Sequence, residues 1–253
     1  MVWTTKRKAI TAAIGALLFT ITVWMLIAMH KGPNQEAQDS AESDSVPPPS
    51  SGTPKATNSL ALDGFYNMPA SSFTADNTFA WPGLPRDVQI FSGVRFHVDG
   101  SAMLGGGTGL QERYHFPDKR LDIPVHQKFA SLYVLHFAEW SDPPGTPVYD
   151  LVLRYEDGSS VTNEIEYGTD IYDFYAPPND TTEPSGTNSI VAWRGQFTVK
   201  SGANQALRAF VTELKNSKPA VEVVSLDLFS CKNKSVGCVL AITTGPSGLV
   251  HNP

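Results

Sequence analysis

A run of 21 residues, 9–29, carries no charged side chain and comes directly after Lys6, Arg7 and Lys8. About 20 apolar residues in a helix cross the hydrocarbon core of a bilayer. Basic residues beside such a segment stay on the cytoplasmic side, so the chain beyond residue 29 is exported. A signal peptide has a shorter apolar stretch and a small-x-small cleavage site. Here the run ends Leu26-Ile27-Ala28-Met29-His30-Lys31, without that pattern. The reading is an uncleaved signal anchor, with Trp3 and Trp24 placed for the interfacial belts. The expected layout is a basic cytoplasmic N-terminus (1–8), a transmembrane helix (9–29), a tether (30–59), an exported domain (60–245) and a flexible tail (246–253). The expected location is a bacterial inner membrane, single-pass, with the domain on the periplasmic side.

Charge is uneven across this anchor. Of 19 Lys+Arg, three precede it, leaving 16 basic against 25 acidic residues on the exported side, a net charge of −9. An acidic domain does not supply the basic patch that nucleic acid or an anionic membrane face requires. Residues 31–59 hold no aromatic side chain and almost nothing large and apolar, so they cannot bury enough surface to offset their ordering entropy. Pro47, Pro48 and Pro49 stiffen the middle as polyproline II. A flexible chain of this length spans on the order of 30 Å, which lifts the domain off the membrane.

Beyond the tether the pattern is strand-like. Residues 131–138 and 148–155 are rich in aromatic and branched side chains, and 161–167 return after Glu156-Asp157-Gly158. Asp-Gly between two such runs predicts a hairpin. Residues 189–199, 207–214, 221–229 and 239–243 extend the series, although 207–214 is equally compatible with a helix on propensity. The clusters at 141–145 and 176–180 supply turns. Many short strands with turn signals imply an all-β sandwich or barrel. Cys231 and Cys238 bracket a short polar loop between two of these strands. In an oxidising compartment that placement predicts a disulfide closing a hairpin, worth about 2–3 kcal/mol.

Catalytic signatures are absent from the sequence. It contains no G-x-S-x-G elbow, H-E-x-x-H, Walker loop or G-x-G-x-x-G. Gly105-Gly-Gly-Thr-Gly109 lacks the Lys-Ser/Thr of a P-loop and reads as a flexible surface loop. His97, His115, His126 and His136 read as packed or hydrogen-bonded strand residues. Zinc would need a second cysteine pair, and no D-x-D-x-D calcium loop occurs, so neither metal nor cofactor is expected. The acid pairs Glu164/Glu166 and Asp170/Asp173 have the chemistry of a glycosidase only if their carboxylates converge. Exposed strand and loop acids are the simpler reading, and the chain is read as a non-enzyme.

What remains is aromatics beside acids in three segments: 136–142, 167–175 and 192–195. Sugar rings stack on aromatic faces and their hydroxyls bond carboxylates and guanidinium, so such segments on a rigid sandwich suit a glycan. The candidate ligand-binding residues are His136, Glu139, Trp140, Asp170, Tyr172, Asp173, Trp193 and Arg194. Aromatics are equally the material of sandwich cores.

Leu135-His-Phe-Ala-Glu139 resembles the LHFAE strand of malectin and malectin-like domains. The order Leu84-Pro-Arg-Asp, Phe91-Ser-Gly-Val-Arg-Phe96, Ile123-Pro-Val125, Gly145-Thr-Pro147, Tyr155-Glu-Asp-Gly158, Tyr167-Gly-Thr-Asp170, Ala192-Trp193 and Val221-Glu-Val-Val-Ser-Leu-Asp227 resembles an exported β-sandwich domain of planctomycete and verrucomicrobial proteins. Some of these sit behind anti-sigma-type membrane regulators. The resemblance implies a galactose-binding-like jelly roll and carbohydrate binding. No family loop aligns beyond the LHFAE strand, so it assigns no binding residue here. Two functions are therefore expected. One is a membrane-tethered, non-catalytic module presented to glycan or cell-wall polymer. The other is a structural or signalling ectodomain that binds an envelope protein.

Overall fold

The computed structural model describes residues 57–73, 81–107, 115–198, 202 and 204–248. The expected anchor at 9–29 and all but the last residues of the tether lie outside this set. Among the described residues no helix is long and apolar enough to cross a membrane. The elements in chain order are β1 (Asn58–Ser59), β2 (Met68–Pro69), a 3-10 turn (Ala70–Ser72), β3 (Asp87–Phe91), β4 (Val94–Val98), β5 (Gly100–Met103), β6 (Lys119–Gln127) and β7 (Ser131–Glu139). They continue with β8 (Thr146–Tyr155), β9 (Ser160–Tyr167), β10 (Tyr175–Ala176), β11 (Ser189–Thr198), β12 (Asn204–Lys215), β13 (Val223–Ser230) and β14 (Val236–Gly245).

These strands make an all-β sandwich. The large sheet runs β10-β12-β7-β14-β5-β2, with β11 on β12 and β1 on β14; the small sheet runs β6-β13-β8-β9. All pairings between these strands are antiparallel. Every residue of β7 is buried, and all of β14 except its last. Strands buried on both faces need cover on both. The small sheet covers one face of the large sheet. Part of the N-terminal segment covers the other, where Trp81 lies 4.8 Å from Phe137 and 4.8 Å from Phe73, ring centre to ring centre. Tyr66 Oη also donates to the Leu240 carbonyl.

The β8–β9 hairpin forms as expected. Gly158 sits at φ 79°. Its N–H donates to the Tyr155 carbonyl, and Tyr155 N–H donates to the Ser159 carbonyl, each at 3.0 Å. That geometry is a type I turn followed by a left-handed glycine. Segment 207–214 is strand, not helix, because it lies within β12, held between β7 and β11. Asn58 and Ser59 pair with β14, while Ser247 and Gly248 bond Ser131 and Glu213. Residues 105–107 are not a loose loop. Gly105 and Gly106 are buried. A Cβ on Gly106 would meet Val236 Cγ2 at 2.8 Å.

The expected Cys231–Cys238 bridge does not form, and both are free thiols. β13 and β14 are consecutive but belong to different sheets, so the chain between them crosses the sandwich instead of closing a hairpin. Cys231 lies beside Asp150 and Glu164 of the small sheet; burial first, then those charges, push its thiol up to about 11. Cys238 is fully buried in the large sheet. Burial, then Glu139 and Asp173, hold its thiol well above the usual range. We expect thiol titration of the denatured protein to give two free thiols without reductant. In the native protein the Cys238 thiol should react only as fast as the fold opens; a mass consistent with a bridge would contradict this arrangement.

Candidate functional site

A buried chain of polar groups crosses the sandwich beneath the candidate segments. Tyr149 Oη on β8 lies 2.5 Å from His136 Nδ1 on β7, and His136 Nε2 lies 2.8 Å from Thr212 Oγ1 on β12. Thr212 Oγ1 lies 2.8 Å from Ser189 Oγ on β11, which donates at 2.8 Å to Asp170 Oδ1. The second Asp170 oxygen accepts from Glu166 N–H at 3.0 Å. Burial raises the Asp170 carboxyl, opposed by its donors Glu166 N–H and Ser189 Oγ; with the Ser189 hydroxyl donating to Asp170, the Ser189 oxygen is left to accept. Thr212 must then donate to Ser189, and His136 Nε2–H to Thr212. That leaves His136 Nδ1 to accept from Tyr149. One carboxylate thus sets the tautomer of a histidine two hydroxyls away. Burial holds His136 neutral, its pKa lowered to about 3. Tyr149 keeps its proton, its pKa raised well above normal by burial first. His136 and Asp170 are therefore interior residues, their polar atoms taken by neighbouring strands and turns.

The second feature lies where β7 ends. Ala138 N–H donates to the Tyr172 carbonyl at 2.9 Å and Phe174 N–H to the Ala138 carbonyl at 2.8 Å. Segment 172–176 so lies beside the end of β7 and continues onto β12 as β10. This brings the three aromatic–acid segments together. Phe174 packs 4.7 Å from Phe137, 6.3 Å from Trp81 and 6.1 Å from Trp193, the last pair nearly parallel at 16°. Trp193 lies over its own strand; a Cβ on Gly195 would stand 2.5 Å from its ring. Trp140, directly after β7, holds φ 65°, a left-handed conformation that costs a bulky residue energy. Trp140, Tyr172, Asp173, Tyr175 and Trp193 all remain partly exposed here.

Beneath them, Glu139 is 7% exposed and accepts a 2.5 Å hydrogen bond from Trp81 Nε1. Burial, reinforced by the charge of Asp173, lifts its carboxyl to about 8 against the indole bond. Burial also raises Asp173, opposed by hydrogen bonds from Tyr175 N–H and Ser141 Oγ and by the charges of Arg208 and Lys234. The phenol of Tyr175 is pushed up to about 12 by burial, then by Glu139 and Asp173. At neutral pH Glu139 therefore keeps its proton, next to a carboxyl that burial also raises and that two hydrogen-bond donors and two cations oppose. Trp81 was not among the candidates; a lone Trp far from the acidic segments gives no signal that it will seal one of them.

Two arginines serve the loop between β10 and β11. Arg194 donates to the Asp180 and Thr182 carbonyls and pairs with Glu183 at 2.6 Å, so it straps the loop. Arg208, 5% exposed, pairs with Asp180, donates to the Asp173 carbonyl and lies 4.8 Å from the Tyr172 ring. Of the eight candidates, the structure gathers Glu139, Trp140, Tyr172, Asp173 and Trp193 at one end of the large sheet. Of the scattered histidines, His136 alone is packed; His97 and His126 are exposed, within 3.3 Å of Asp99 and 3.4 Å of Glu222. Among the described residues no group of three or more His, Cys, Asp or Glu could hold a metal ion. No protein-family model matches this chain, and no curated protein aligns with it significantly.

Thr212→Val keeps the shape but removes the hydroxyl between His136 and Ser189. Two buried groups lose a partner, so urea unfolding should show a loss of roughly 2–5 kcal/mol; a loss under 1 kcal/mol would mean the chain of bonds does not hold the sheets. Glu139 gives a second expectation, in pH. Its folded pKa, about 8, lies above the unfolded value of 4.5, so the folded state binds the extra proton between them. Its contribution to stability therefore falls as pH rises through that window, by up to about 1.4 kcal/mol per pH unit. His136 acts oppositely below about 6.5. From pH 6.5 to 8 the Glu139 loss outweighs the fading His136 gain, and Glu139→Gln should make the change between melts at those two pH values smaller than in the parent.

Proposed function

We propose that this domain is a membrane-tethered, non-catalytic binding module that presents a galactose-binding-like jelly roll to carbohydrate on the exported side. The observation that carries the proposal is the partly exposed Trp193, backed by Phe174 and laid over Gly195. A partly exposed indole already held by its neighbours offers a sugar ring a stacking surface at low entropy cost. Tyr172 and Trp140 flank the same end of the sheet, with Asp173 there to accept hydroxyl protons. Glu139 is too deeply sealed by Trp81 to meet a ligand directly, which favours binding over acid catalysis in this reading. The tether at 30–59 and the anchor at 9–29 give such a module its place: held to the membrane and free to reach cell-wall polymer. The alternative is that the same surface receives an envelope protein.

The test is an array of glycans and cell-wall polysaccharides probed with the whole chain in detergent micelles. Specific retention is expected, at least tenfold weaker in Trp193→Ala and Tyr172→Ala while circular dichroism stays unchanged. Retention indifferent to both substitutions would move the site elsewhere. No retention by folded protein would overturn the carbohydrate reading and leave the protein partner.

A further inference from the structure

β9 ends the small sheet, and its outer edge can be resolved group by group. Tyr155 N–H donates to the Ser159 carbonyl. The register then runs unbroken from Arg154↔Ser160 to Tyr149↔Ile165. Hydrogen-bonded pairs alternate in an antiparallel ladder, so Val161, Asn163 and Ile165 spend their N–H and C=O groups on β8. Those of Ser160, Thr162, Glu164 and Glu166 point away. At Glu166 they are taken: its N–H by Asp170, its carbonyl by the N–H of Asp170 and of Ile171. At Ser160, Thr162 and Glu164 no partner strand is present among the described residues.

Other edges are guarded, as proteins guard strands that should not pair. β6 has Pro124 in its middle, positive φ at Asp122 and His126, and two register shifts against β13. β11 is bulged between Val191 and Trp193, and Glu183 accepts the Val191 N–H. β9 has neither proline, lysine nor bulge along its open stretch.

The side chains say what would fit there. On the solvent face Glu164 stands directly opposite Asp150, with Glu166 next along the strand. Like charges facing across a ladder repel. Among the described residues neither Asp150 nor Glu164 has an ion-pair partner, and Arg154, four residues along β8 from Asp150, is committed to Asp227 at 2.6 Å. On the other face Val161 is only partly buried against the core. A second copy of the strand would bring more acid to this edge.

We propose that the open edge of β9 takes a fifth strand, an extended segment of a partner protein with basic residues alternating with apolar ones. Its main chain bonds the outward groups of Ser160, Thr162 and Glu164. Its basic side chains relieve Asp150 and Glu164, and its apolar ones cover Val161. This surface lies on the small sheet and does not depend on the carbohydrate reading.

The experiment uses the whole chain in detergent micelles and a fluorescent peptide of alternating valine and lysine, seven residues long. We expect saturable binding by anisotropy and at least tenfold slower hydrogen exchange at the Thr162 and Glu164 amides. The same peptide N-methylated at alternate residues, and a valine–glutamate version, should bind at least tenfold more weakly. Thr162→Pro removes an outward N–H and no β8–β9 bond, so it should abolish binding with the fold intact; Glu164→Lys should weaken binding tenfold without touching the backbone. Binding unchanged in both variants, protection elsewhere, or no binding at all would overturn the proposal. So would a dimer that Thr162→Pro splits, since it would assign the edge to a second copy.

Discussion

The Asp170 carboxyl is nearly buried and takes hydrogen bonds from the Glu166 N–H and from Ser189, and the sandwich is arranged around that demand. Ser189 of β11 answers it, Thr212 of β12 answers Ser189, His136 of β7 answers Thr212, and Tyr149 of β8 answers His136. Each link lies on a different strand, and the last crosses from the large sheet to the small one. Apolar packing alone lets two sheets slide by small steps at little cost. A directed polar chain does not, because a shift orphans a buried donor or acceptor. Gly237 belongs to the same arrangement: a Cβ there would come 2.6 Å from the Tyr149 ring that delivers the hydroxyl.

Burial of β7 on both faces carries this constraint outward to the surface. His136 faces the small sheet, while its neighbour Phe137 faces the N-terminal cover through Trp81. Where β7 ends, Glu139 is caught beneath Trp81 with its proton retained. Segment 172–176 fills the space beside it and keeps the large sheet continuous. The partly exposed aromatics at this end thus rest on buried, hydrogen-bonded strands. The loop above differs in that its two arginines, Arg194 and Arg208, are committed to its own carbonyls and carboxylates.

Much of the strand content was legible in the chain. Residues 131–138, 148–155 and 161–167 alternate or run apolar at strand length, and Asp157-Gly158 marks its own turn. β6 was harder to see, because Pro124 and the positive φ at Asp122 and His126 break the period that identifies a strand. β12 was ambiguous, since a strand covered on both faces has no amphipathic signature to separate it from a helix. The cysteine loop misled for a related reason: seven residues of separation between two strands says nothing of whether they share a sheet.

The sequence by itself determined the strand-rich class of the domain, the acidic charge beyond residue 8, and which short segments combine aromatics with acids. These properties come from local composition and period, which act over a few residues. Only the tertiary structure decided which of those residues are available. His136 and Asp170 went to the interior relay, Arg194 to a loop, and Glu139 under a tryptophan 58 positions away. The cause is long-range pairing: whether a polar side chain binds a ligand or a neighbouring strand depends on which strand lies beside it. That choice belongs to sheet order, not to any single stretch of chain.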